Sequence, residues 1–153
     1  MFLWILACTE AEKEDGSSEG SFSEETNQLW DEISDYQTWN QLENWQGILP
    51  SESVHGVAMQ TWYNDIAYDA LMIIDINTMP ENSIIVKEGY QDANGTDINT
   101  ITVMKKINGY NPDAGDWYWA SFNPDGSSNA SGIVDFCVSC HAGSQVDYLL
   151  IDP

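Results

Sequence analysis

The segments SIIVKEGY (83–90), INTITVMKKI (98–107) and WYWASF (117–122) decide the fold of this 153-residue chain. All three are rich in β-branched and aromatic residues, and in the second segment Ile101 and Val103 share one face of the alternating pattern. Asn-Gly pairs between the segments are typical of tight turns. We therefore predict three strands of an antiparallel meander.

The residues before these strands predict a few short helices. Residues 21–24 (SFSE) match a capping box, so a helix is expected to begin there, and residues 64–73 show helical spacing. A stripe with an apolar residue at every third position would spiral around a straight α-helix, because each step falls about 60° short of a turn. We predict two shorter helices with a break near residues 35–38, and a core role for the stripe. The stripe consists of Trp30, Ile33, Tyr36, Trp39, Leu42 and Trp45. The predicted fold class is α+β, mainly antiparallel β-sheet with a few short helices.

The pentapeptide CVSCH (137–141) carries the most specific chemistry in the chain. The thiols of Cys137 and Cys140 are spaced to bond the two vinyl groups of one porphyrin, and His141 then becomes the proximal iron ligand. A redox disulfide is a weaker alternative, because the chain shows no βαβ unit. A zinc module using these residues and His55 is another, although the adjacent Cys140 and His141 are poorly placed to bind one tetrahedral ion. We predict one covalent haem c per chain.

His55 is the other histidine of the chain. It could be a second axial ligand of the iron, but a loop histidine before glycine is more often structural. We therefore expect the distal side of the iron to be open or capped by an apolar side chain. An open iron site in a domain with seven Trp and seven Tyr suits small neutral ligands.

The charge of the chain excludes one class of partner. Asp and Glu number 25 against four lysines, which gives a formal net charge of −21. Such a surface repels phosphate backbones, so nucleic-acid binding is not expected. It favours neutral or cationic substrates over anionic ones.

The N-terminal residues resemble a processing signal. Residues 1–8 (MFLWILAC) end in a lipobox-like ILAC, although the apolar run is short and no basic residue precedes it. We interpret them as the remnant of a signal peptide, with Cys8 as a lipid anchor. Residues 9–21 are acidic and rich in Ser and Gly, which predicts a disordered linker. The single haem-binding domain is expected over residues 22–153, in the periplasm and tethered to a bacterial membrane.

The order of the motifs over about residues 50–150 resembles the cytochrome P-460 family, which includes the cytochromes c′-beta. The resemblance implies a mainly antiparallel β domain that binds one c-type haem. The motifs that carry it are SIIVKE (83–88), VMKK (103–106) with GY (109–110), GDWYWA (115–120), and CVSCH (137–141) with DY (147–148).

The resemblance also implies roles for two further residues. In family members that oxidise hydroxylamine, a strand lysine bonds the porphyrin, and Lys87 occupies the matching place. A carboxylate near the iron accepts protons in those enzymes, and Asp147 is the only acid in residues 142–147. The expected function is oxidation of hydroxylamine or a related nitrogen species. The alternative is a nitric oxide-binding or electron-transfer cytochrome of the c′-beta kind. Either would use a redox partner protein, and a homodimer is one expectation.

Overall fold

The computed structural model describes residues 19–73, 76–144 and 146–150, so the predictions for the signal remnant, Cys8 and most of the linker lie outside the described residues. A six-stranded antiparallel sheet dominates the described part, and each strand pairs with the next along the chain. The predicted α+β class and meander are confirmed. The strands are β1 (Leu49–Ser53), β2 (Gly56–Tyr63), β3 (Ile84–Tyr90), β4 (Ile98–Lys106), β5 (Trp117–Phe122) and β6 (Ser128–Gly132).

Three short α-helices accompany the sheet: α1 (Glu19–Glu32), α2 (Asp65–Leu71) and α3 (Asp135–His141). The helix α1 begins two residues before the capping box that predicted it, a difference typical of helix ends. The side chain of Asn64 caps α2 by accepting the Ala67 N–H at 2.9 Å. In the described part of the chain, no helix has the length and apolar character needed to cross a bilayer.

The predicted second helix of the N-terminal stripe is wrong. Residues 36–38 and 43–45 instead form two single 3₁₀ turns, each of which buries one aromatic side chain, Tyr36 or Trp45. A 3₁₀ helix has three residues per turn, so a stripe with a spacing of three fits it better than an α-helix.

The sheet also contains three strands that the sequence did not predict. The strand β1 has Pro50 and few apolar residues, and β6 (SNASG) consists of small residues. The third of these strands is β2 (GVAMQTWY). The strands β1 and β6 are the two edges of the sheet, where proline and weak strand formers are tolerated.

Alternation along the strands separates the sheet into two faces. Ile84 and Val86 point to one face, which packs against α1 and is called the α1 face. Ile85 points to the other face, which packs against residues of α2 and α3 and is called the α3 face. Lys87 follows Ile85 in this alternation and therefore projects from the α3 face, as the strand pattern predicted.

The hairpin between β1 and β2 packs tightly onto β3 at a glycine. A Cβ atom at Gly89 would lie 1.4 Å from the carbonyl oxygen of His55. Gly56, next to His55, has a φ of +139°, which favours glycine. These two glycines allow the tip of the hairpin to lie on the α3 face and place His55 there.

Gly89→Ala should therefore destabilise the protein by about 2 kcal/mol or more, because the new methyl group overlaps backbone that cannot shift alone. Urea unfolding of the purified protein measures the change. Gly143→Ala is the matched control, since a Cβ there meets nothing within 4 Å. Equal unfolding midpoints for the two variants would contradict the close packing of the hairpin.

Candidate functional site

The helix α3 presents the three residues of the CVSCH motif to one region of the α3 face. Cys137 is half-buried, Cys140 is exposed, and both thiols are free. Residues three and four apart on a helix lie on one side, which puts Cys140 and His141 on the same side as Cys137. His141 lines both of two adjoining cavities, while Cys137 lines the inner one and Cys140 the outer one.

His141 is held in the orientation and tautomer that a metal ligand needs. Its Nδ1 lies 2.7 Å from the carbonyl oxygen of Tyr148, so Nδ1 carries the proton and donates it to that oxygen. The Nε2 lone pair is then free to bind a metal. Burial lowers the pKa of His141, and this favours the neutral imidazole. The ring of Trp119 packs at 4.8 Å from that of His141 and restricts its rotation.

The segment that supplies the Tyr148 carbonyl is itself fixed by a buried ion pair. Asp147 Oδ2 lies 2.7 Å from Lys106 Nζ and accepts the Met79 backbone N–H at 2.6 Å. The two charged side chains are only 4% and 6% exposed. The Trp117 indole N–H donates to the Asp147 carbonyl oxygen at 2.8 Å. Asp147 and Tyr148 both have a positive φ, a strained conformation that these contacts maintain.

This placement does not support the predicted role of Asp147 as a base near the iron. Its carboxylate is bound by Lys106 and Met79, and Asp147 lines neither of the two adjoining cavities. A salt-bridged carboxylate that faces away from the cavity is poorly placed to accept a proton there. The structure instead makes Asp147 a positioning residue for the carbonyl group that orients His141.

Lys87, for which the resemblance predicted a contact with haem, lies close to the CVSCH motif. It lines both cavities, and its Nζ is 5.6 Å from the ring centre of Trp45. Lys105 and Lys106 pair with carboxylates, whereas Lys87 has no ion-pair partner among the described residues. Burial lowers the pKa of Lys87 to about 8, while nearby Cys140 acts in the opposite direction. The neutral amine is therefore more accessible near physiological pH than in an exposed lysine, and the protonated form still predominates.

His55 also belongs to this site. It lines both cavities, and its ring centre is 6.3 Å from that of His141. Burial, together with the nearby Lys87 and His141, lowers the pKa of His55 to about 3. The structure thus brings together Lys87, His55 and His141, which lie far apart in the sequence.

The lining of the cavities fits a large, mostly apolar cofactor. Two polar atoms of the inner cavity, Thr61 Oγ1 and Trp119 Nε1, are buried without a hydrogen-bond partner among the described residues, so a bound group would have to satisfy them. The outer cleft encloses about 580 Å³, a size typical of small-molecule and cofactor sites. Apolar side chains lining the inner cavity include Tyr63, Ile85, Met104 and Leu149.

The zinc alternative finds no support in the arrangement of donors. Within residues 19–73, 76–144 and 146–150, no three His, Cys, Asp or Glu side chains are grouped to hold a metal ion. A c-type haem needs one imidazole to bind its iron and two thiols to bond the edge of the porphyrin, and α3 supplies these groups.

Sequence reasoning missed three contributors to the site. Trp119 could have been found from alternation along β5. Its neighbour Tyr118 lies on the α1 face, so Trp119 lies on the α3 face. Thr61 lies on a strand that was not predicted. The carbonyl of Tyr148 gave no sequence signal, since every residue has this group.

The Asp147–Lys106 pair gives a prediction about stability. Asp147→Ala leaves Lys106 buried without a carboxylate, so the free energy of unfolding should fall by about 3–5 kcal/mol. Thermal or urea unfolding measures it. Glu32→Ala, which breaks the exposed pair with Lys105, should cost less than about 1 kcal/mol. Similar losses in the two variants would show that the buried pair does not hold this segment.

Comparison with known proteins agrees with this geometry. No curated protein matches the chain. The family model described as Cytochrome P460 matches residues 33–150, which include the whole sheet, Lys87 and the CVSCH motif. The chain therefore belongs to the cytochrome P460 family, and this membership indicates a c-type cytochrome that binds haem.

Proposed function

We propose that this protein is a monohaem c-type cytochrome that oxidises hydroxylamine or a related small nitrogen species. Cys137 and Cys140 would hold one haem c by thioether bonds, and Nε2 of His141 would bind its iron. The haem would supply the redox chemistry of the reaction. Support comes from the two adjoining cavities, of which Cys137 lines the inner one, Cys140 the outer one and His141 both, and from the fixed tautomer of His141.

The observation that carries the enzymatic proposal is the position of Lys87. This half-buried cation lacks a carboxylate partner among the described residues and lines the same two cavities as the motif. Its lowered pKa makes the neutral amine more accessible than in an exposed lysine. This amine could replace a hydrogen of a porphyrin carbon, with two protons released and two electrons passed to an external oxidant such as a peroxide. A covalent bond from Lys87 would distort the macrocycle and change its electronic properties, which is one way in which proteins tune haem.

Proton acceptance in this proposal falls to Glu52 rather than Asp147. Oxidation of hydroxylamine releases protons with electrons, so a base near the substrate assists it. Glu52 of β1 is the carboxylate that lines the outer cleft together with Lys87 and His141, among the described residues. Its exposed position allows it to pass protons on to solvent.

The second candidate function is nitric oxide binding or electron transfer without turnover. The inner cavity has no Asp or Glu in its described lining. A small neutral ligand held there would meet mostly apolar side chains and no carboxylate to accept a proton. This observation favours a binding role over catalysis if the ligand occupies the inner cavity.

We also propose a periplasmic location, a lipid tether through Cys8 and a redox partner protein. The net charge of −21 supports a partner with a basic docking surface, because complementary charge accelerates association. A flexible acidic linker between Cys8 and the domain would let the haem reach such a partner.

The experiment that tests the enzymatic proposal compares Lys87→Ala with Lys105→Ala after expression with a c-type haem maturation system. The unsubstituted protein should show a Soret band red-shifted beyond ordinary c-type haem. Lys87→Ala should lose this shift, and its rate of hydroxylamine oxidation should fall at least tenfold. Lys105 projects from the opposite face and pairs with Glu32, so Lys105→Ala should retain both properties.

An ordinary c-type spectrum that is the same in both variants would contradict a bond from Lys87. If that spectrum also shifts on addition of nitric oxide without turnover of hydroxylamine, the binding or electron-transfer function is the correct one.

A further inference from the structure

The two histidines of the chain meet on the α3 face, although 85 residues separate them in the sequence. His141 reaches the cavity from the end of α3, and His55 reaches it from the tip of the β1–β2 hairpin. The hairpin tip is not free to turn away, because its backbone packs against Gly89 of β3. The two imidazoles therefore approach one region of space from two separate elements.

The hydrogen bonds of His55 leave Nε2 as its free nitrogen. The Thr102 hydroxyl donates to the Lys87 carbonyl oxygen at 3.3 Å, so its oxygen can only accept from the His55 Nδ1–H at 3.2 Å. The Tyr148 carbonyl fixes the same tautomer in His141. Both histidines thus have an anchored Nδ1 and an Nε2 lone pair with no partner among the described residues, which is the state of a metal-bound imidazole.

The separation of the rings matches two ligands of one metal. A metal–imidazole bond is about 2 Å long and the ring centre lies about 1 Å beyond its nitrogen, so imidazoles on opposite sides of one metal have centres about 6 Å apart. The observed separation of the ring centres is 6.3 Å. We propose that His55 is the second axial ligand of the haem iron, opposite His141.

This proposal deepens the proposed function and rests on its haem site, but not on the reaction with hydroxylamine. It replaces the expectation of an open or apolar distal side. With His55 bound, the iron has no free position, and a small nitrogen ligand must displace the imidazole.

The test uses the full chain loaded with covalent haem and compares His55→Ala with the exposed hairpin control Val57→Ala. Absorption and electron paramagnetic resonance spectra of the ferric protein report the spin state. The unsubstituted protein and Val57→Ala should be six-coordinate and low-spin, and His55→Ala should be high-spin. Added imidazole should restore the low-spin spectrum of His55→Ala, which a purely structural role of His55 would not allow.

Nitric oxide binding provides a second readout. The apparent affinity for nitric oxide is proportional to the fraction of protein whose iron is not blocked by His55. Removal of His55 should therefore raise this affinity at least about tenfold. His55→Gln, which keeps the size and the polar contact, serves if His55→Ala fails to retain haem. Thermal unfolding and haem content of each variant confirm that the site is intact.

A high-spin ferric spectrum of the unsubstituted protein would overturn the proposal. A low-spin spectrum that survives His55→Ala would also overturn it, and its loss in Lys87→Ala would identify Lys87 as the sixth ligand. If the low-spin state depends on His55 and hydroxylamine is not turned over, the ligand role of His55 is supported and only the enzymatic function is refuted. Absence of covalent haem would refute both.

Discussion

The hydrogen bond from His141 Nδ1 to the Tyr148 carbonyl is the contact on which the site depends. It decides which nitrogen of His141 is free and in which direction that nitrogen points. The carbonyl can be there only because a buried ion pair between Lys106 and Asp147 holds a strained pair of residues in place. The carboxylate of Asp147, for which the resemblance suggested a catalytic role, thus helps to hold the backbone around His141, the proposed iron ligand.

Contacts on the α1 face fix the register of β3 and thereby the position of Lys87 on the α3 face. Its neighbour Glu88 is buried on the α1 face, where Tyr36, Tyr90 and Gln37 all donate to its carboxylate. Burial, reinforced by hydrogen bonding to Glu88, raises the pKa of both tyrosines and keeps them protonated as donors. A buried carboxylate with three donors tolerates no shift in register, because a one-residue slip of β3 would exchange Lys87 and Glu88 between the faces.

The few cations of this acidic protein are distributed unevenly. The described part contains three lysines. Lys105 forms an exposed ion pair on the α1 face, and Lys106 forms the buried ion pair with Asp147. Lys87 lines the inner cavity together with His55 and His141. A half-buried cation without a carboxylate partner adds nothing to stability through an ion pair. The role toward a cofactor that we propose for Lys87 would account for its position in the cavity.

The sequence by itself determined the central strands, the alternation that turns Lys87 away from Glu88, and the haem motif, because these depend on local periodicity and on the spacing of neighbouring residues. It did not determine the edge strands β1 and β6, since these owe their form to pairing with a neighbour rather than to their own composition. The inner strand β2 was not predicted either. The task of Asp147 and the place of His55 were decided only by the tertiary structure. Asp147 meets its partner across 41 residues and His55 meets Thr102 across 47, and contacts over such separations leave no periodic trace in a single sequence.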